Sequence, residues 1–179
     1  TTPSVSFAMP ASPTAATAAL QECVNDGGGS DGGCEKADAL YREATLIANT
    51  YASDLYDNTT SLDTVKKQLD AIDIFINSTI WIINPSGRLI LSTDSPLDVS
   101  TEVVVENFDP TITVGSYYTV GTFFDSFETE MLSVFAPITT NYKVQGYVVI
   151  HTSMNDLRAS SESLLSISYI MLVILFLRH

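Results

Sequence analysis

The chain has 179 residues and a formal net charge of −13 at neutral pH, from 8 Lys and Arg against 21 Asp and Glu. The cations are scattered, with Lys66-Lys67 the one adjacent pair, so no basic face exists to neutralise phosphates and nucleic acid drops out as a partner. The length suits one domain with extensions, and the 45% apolar content is enough for a core.

Residues 1–34 read as an extension. The first twenty are uncharged and rich in Ala, Thr, Ser and Pro, without the basic start and long apolar run of a signal peptide. They suit a linker or the outer end of a preceding membrane helix. Cys23 and Cys34 then flank the loop VNDGGGSDGG. An even pair around a flexible loop in an exported domain suggests a disulfide, with free thiols as the alternative. A metal site would need more ligands, and Asn25, Asp26 and Asp31 lack the acidic spacing of a calcium loop. No metal or cofactor is therefore expected. Asn58-Thr59-Thr60 and Asn77-Ser78-Thr79 match the glycosylation acceptor pattern, which is short enough to arise by chance.

From Glu35 to Asp57 the period is helical, with Leu40, Ala44, Ile47, Ala48, Tyr51 and Leu55 on one stripe. A second helix is predicted over Ser61 to Ile72, capped by Ser61, with Val65, Leu69 and Ile72 inward. The period then changes. Thr79 to Asn84 and Arg88 to Thr93 read as strands joined by Asn84-Pro85-Ser86-Gly87, where Pro fits the second turn position and Gly the last. Val99 to Phe108 suggests a short helix. Three more strands follow at Tyr117 to Phe124, Glu130 to Thr139 and Val144 to Thr152, the last two joined by a turn at Asn141 and Tyr142. This order predicts an α+β domain over residues 35–154: a long N-terminal helix packed on a five-stranded antiparallel sheet.

Residues 155–179 lead elsewhere. Leu164 to Leu177 (LLSISYIMLVILFL) is apolar except for two serines and ends on Arg178. A span needs about 20 mostly apolar residues, which the helical pattern reaches by starting near Asn155. Arg178 then takes the place of a cytoplasmic positive flank. A buried C-terminal core helix is the alternative, but the run has no polar face. The chain thus reads as a segment of a larger membrane protein, with a C-terminal helix that leads its soluble domain into the bilayer.

The stretches IWIINPSGRLILSTDSP (80–96) and MLSVFAPITTNYKVQGYVVIHTSMNDL (131–157) resemble the extracytoplasmic Cache or PAS-like sensor domains of bacterial transmembrane sensor histidine kinases. The matching features are a first hairpin turning at Asn84 to Gly87 and ending in Ser92, a strand ending in Pro137-Ile138, and Gly146 opening the final strand. The N-terminal cysteine loop departs from the pattern. The resemblance implies signal sensing by a non-enzymatic, extracytoplasmic homodimer, with output through the C-terminal helix to a kinase. A chemotaxis receptor, a cyclic-dinucleotide enzyme with the same input module, and a membrane-anchored surface structural domain are the alternatives.

The resemblance places the ligand between the central strands and the connection before them. That makes Arg88, Tyr117, Tyr118, Phe123, Tyr147 and His151 the ligand-binding candidates, for a small molecule or a cation. Ordinary core and hairpin packing is the competing explanation for the aromatics. His151 shares a strand face with Tyr147 and Val149 by alternation, and a partly exposed strand histidine is the expectation there. His179 is terminal, and no Ser-His-Asp grouping, HExxH or phosphate loop is present, so no catalytic residue is assigned.

Overall fold

The computed structural model describes residues 31–96, 102–111 and 117–157. A helical rod comes first: α1 (Asp31–Ile47) continues through a π-helical turn, Ala48–Ala52, into the short α2 (Ser53–Tyr56). The expected long helix is there, with one added feature. The Ser53 N–H bonds the Ala48 carbonyl five residues back, one more than α spacing, so this wide turn takes up one extra residue. Ala37, Leu40, Ala44, Ile47, Ala48 and Ala52 are all buried, on the one stripe that their three- and four-residue spacing defines. After a turn at residues 57–60, α3 (Leu62–Ile76) begins at Ser61, whose hydroxyl accepts from Thr64 N–H at 3.2 Å as a cap should. It runs one turn past the expected end and closes on Asn77 in the left-handed conformation.

The five strands are β1 (Thr79–Ile83), β2 (Leu89–Ser92), β3 (Tyr118–Gly121), β4 (Met131–Thr140) and β5 (Lys143–Ser153). They form one antiparallel sheet in the order β2-β1-β5-β4-β3. The first hairpin turns as its residues dictate. Gly87 N–H bonds Asn84 O at 3.0 Å, and the Asn84 side-chain oxygen accepts from the N–H groups of Ser86 and Arg88. Gly87 has φ +86°, and a Cβ there would stand 2.8 Å from Val105 O, so only glycine fits. At the last hairpin Asn141 and Tyr142 both take positive φ, the pair of conformations that a two-residue turn between twisted strands requires.

Two local expectations give way. The strand expected over 117–124 stops at Gly121, and residues 122–127 coil into a turn in which Phe123, Phe124 and Asp125 are all left-handed. The short helix expected over 99–108 is absent from residues 102–108, the described part. There Val104 bridges Arg88, Leu89 N–H bonds Val103 O, and Val105 N–H bonds Gly87 O. β2 is an edge strand with open backbone groups, and pairing them outweighs a marginal helix signal.

Both faces of the sheet are covered. On one, Ile80, Ile82, Leu91, Leu132, Val134, Ala136, Ile138, Val148 and Ile150 pack against the helices. On the other, Trp81, Ile83, Phe135, Tyr147 and Val149 pack beneath Val105 and Phe123 from the connections. Residues 154–157 open a further helical turn directly after β5. The apolar stretch Leu164 to Leu177 and the Cys23–Cys34 pairing lie outside the described residues; among those, no helix is long and apolar enough to cross a membrane.

Candidate functional site

Among the described residues, the sheet face away from the helices carries the one concentration of buried polar chemistry among aromatic rings. β5 is the central strand, and its residue His151 pairs across to Ser133 on β4 and to Thr79 on β1. The register sets the His151 and Ser133 side chains side by side, and Ser133 Oγ lies 2.8 Å from His151 Nδ1. The imidazole meets three aromatic rings, with centroids at 4.5 Å from Trp81, 4.5 Å from Phe123 and 4.8 Å from Phe127. Phe123 in turn touches Phe135, Phe124 and Phe108, and Phe108 reaches Tyr147 at 6.0 Å.

His151 is 1% exposed, which corrects the expectation of a partly exposed strand histidine. The reason is its position: it sits on the central strand, and the connection after β3 lays Phe123 and Phe127 over it. Burial holds its pKa well below the ordinary range, at about 3, so the ring is neutral at physiological pH. Two nitrogens of this cluster, His151 Nε2 and Trp81 Nε1, are buried without a hydrogen-bond partner among the described residues. A buried donor left unmet costs about 1–3 kcal/mol, so the pair is an expensive feature for a mere core.

The segment above the cage is strained. Three consecutive non-glycine residues, Phe123, Phe124 and Asp125, have φ of 47°, 52° and 57°. Each costs about 1–2 kcal/mol relative to the right-handed form. Hydrogen bonds from Ser126 N–H to Phe123 O and from Phe127 N–H to Thr122 O hold the turn closed, and the packing of Phe123 on five neighbouring rings offsets its cost. The same segment ends at Glu130, whose carbonyl accepts from Met154 N–H at 3.1 Å. Met154 opens the helical turn after β5, so the cover of the cage and the exit of the chain share a hydrogen bond.

Of the six ligand-binding candidates, Phe123, Tyr147 and His151 come together in this cluster. The others do not join it. Tyr117 and Tyr118 pack toward the helices, where the Tyr117 ring meets that of Tyr41, tilted, at 4.5 Å between centroids. Arg88 stays half-exposed at the hairpin end and pairs with Glu102 at 3.2 Å. Sequence reasoning missed Trp81, Ser133, Phe108 and Phe135. A signal for part of this was present: Ile80 to Ile83 and Tyr147 to Ile150 are continuous apolar runs, as in strands covered on both faces, and a polar residue bordering such a run is buried with it.

No family model and no curated protein matches the chain. Solved structures match it in fold. One is a domain of a Vibrio parahaemolyticus protein assigned to the sensory box/GGDEF family, with TM-score 0.53 and 13% identity, covering 79% of this chain and 61% of that one. Another is the extracellular domain of a protein assigned as the histidine kinase vpHK1S-Z8, with TM-score 0.52 and 13% identity, covering 80% of this chain and 59% of that one. The chain spans about three fifths of the length of these structures. It shares the α+β fold of these domains.

Proposed function

We propose that the chain is the extracytoplasmic signal-sensing domain of a two-component sensor histidine kinase. The observation that carries this reading is the link from cage to exit: Phe123 and Phe127 rest on the buried His151, and their segment is hydrogen-bonded through Glu130 O to Met154 N–H. The shared fold with the extracellular domain of a histidine kinase supports it. An occupant of the cage acts by binding one arrangement of the 122–130 segment better than another. The difference reaches residues 155–177, read from sequence as the outgoing membrane helix, as a shift of a stiff rod. In this reading the domain works as a homodimer outside the membrane, is itself no enzyme, and has Cys23 bridged to Cys34. The membrane and a small-molecule ligand are its partners.

A second reading keeps the same input and changes the output to a cyclic-dinucleotide enzyme. The fold shared with a sensory box/GGDEF family protein favours it.

One experiment separates them. The full-length protein is reconstituted in vesicles and supplied with ATP and with GTP. Acid-labile phosphohistidine identifies the kinase, and a cyclic dinucleotide identifies the alternative. Met154→Pro deletes the N–H bonded to Glu130, at the first position of a helical turn where proline fits. Met154→Ala loses the side chain and keeps the N–H. Output from Met154→Pro is expected to differ at least three-fold from both Met154→Ala and wild type. Equal output from all three would sink the relay, and absence of both products would sink both readings.

A further inference from the structure

We propose that the aromatic cage takes an uncharged small molecule through a hydrogen-bond acceptor, most simply a carbonyl oxygen, shared by Trp81 Nε1–H and His151 Nε2–H. This rests on the sensor reading and names the ligand class of that site.

The proton count selects an acceptor. The indole nitrogen can only donate. The imidazole has two tautomers, and Ser133 chooses between them. Ser133 Oγ is buried, and its one hydrogen-bond partner among the described residues is His151 Nδ1. If Nδ1 donated to Ser133, the serine hydrogen would be buried with nowhere to go. If Ser133 donates to Nδ1, its hydrogen is used and its lone pairs are left spare, which is the cheaper arrangement. The ring proton is then on Nε2. Both unmet groups of the cage, Trp81 Nε1 and His151 Nε2, are donors on rings in edge contact at 4.5 Å. A carbonyl oxygen has two lone pairs for two such donors.

The surroundings select a neutral molecule. The buried polar side chains among the described residues are Ser78, Ser92, Ser133, Thr140, His151 and Thr152, with no Asp, Glu, Lys or Arg. A carboxylate would enter a ring-lined site without a cation, and a charge buried unpaired is strongly disfavoured. His151 cannot readily serve as that cation: with its pKa near 3, about one ring in ten thousand is protonated at pH 7. Amino acids carry the same anion and an ammonium group besides. Aromatic edges and faces from Trp81, Phe123 and Phe127 suit a small apolar body attached to the carbonyl.

The chain carries a single tryptophan, so its indole N–H gives one resolvable signal from inside the cage. The test is a 1H–15N titration of the full 179-residue chain in detergent micelles. Cyclopentanone and N-methylacetamide are compared with propionate and alanine. The expected result is a saturable downfield shift of the indole proton with the neutral carbonyls, no shift with the charged pair, and a His151 15N pattern of the Nε2–H tautomer. Loss of the shift in Ser133→Ala, with the spectrum otherwise folded, adds support, because the tautomer is then free to change. A shift with propionate or alanine alone overturns the neutral ligand and leaves the sensor reading in place. So does movement of strand amides with the indole signal still. An indole proton that shows only a long-lived water contact and responds to no probe overturns the proposal, with the cage then a hydrated core. If no signal anywhere in the domain responds, the sensor reading is weakened as well.

Discussion

Acidification should destabilise this domain through His151, and the amount follows from its burial. The folded-state pKa is about 3, against 6.5 for the exposed imidazole. Below pH 6.5 the unfolded chain takes up a proton that the folded chain refuses, so stability falls as pH drops and levels off only near 3, where the folded form protonates too. From pH 7 to pH 5 the expected loss from this one group is about 1.9 kcal/mol, set almost entirely by the unfolded-state pKa. That figure holds for any folded value at or below about 4. Aspartate and glutamate add their own slopes, so the measurement needs a reference lacking only this histidine. Ser133→Ala with His151→Phe serves: the phenyl ring can keep the contacts to Trp81, Phe123 and Phe127, and removing Ser133 Oγ avoids orphaning it. Urea unfolding at pH 7, 6 and 5 and constant ionic strength, in a non-ionic detergent, gives both curves. The wild type should lose about 2 kcal/mol more than the double variant between pH 7 and pH 5. Parallel curves would mean that His151 titrates normally in the folded protein, which refutes the burial argument.

Three further predictions concern the frame around the site. A Cβ on Gly146 would stand 2.6 Å from Ile83 O and 2.8 Å from the Tyr56 hydroxyl, so Gly146→Ala should cost about 1–3 kcal/mol in thermal or urea unfolding. Tyr56→Phe, which deletes a buried hydroxyl with no partner among the described residues, should be neutral or stabilising by up to about 1 kcal/mol; a clear loss would reveal a bond that the hydroxyl makes. Deleting Asn49, which is exposed within the π turn, removes the extra residue that the wide turn absorbs, so α spacing should return with α1 facing the sheet as before. Ala37, Leu40 and Ala44 then stay in the core, and the melting temperature should change by no more than a few degrees; a fall of about 10 °C or more would show that the wide turn itself is needed to seat the rod.

The sequence by itself determined the elements. Helical periodicity marked the rod, Ser61 marked the start of α3, Asn84 to Gly87 and Asn141-Tyr142 marked the two tight hairpins, and alternation with β-branched runs marked the strands. These are local devices: each works through residues within about five positions, whether by side-chain period, a cap or a positive φ. The same locality explains what stayed hidden. Whether Val99 to Phe108 continues as helix depended on open backbone groups of β2, and the π turn at Ala48–Ala52 depended on where the sheet lay.

The site was legible only in part for the same reason. Phe123, Tyr147 and His151 were picked out by composition and by resemblance, but so were Tyr117 and Tyr118, which the sheet turns toward the helices. Ser133 carries no signal of its own; it matters because the β4–β5 register sets it opposite His151. Trp81 matters because the strand order places β1 beside β5. Chain order fixed which segments could be strands and helices. The neutrality of His151, the two unmet nitrogens and the left-handed turn that closes over them exist only once residues far apart in sequence share one buried face, where loss of water sets their chemistry.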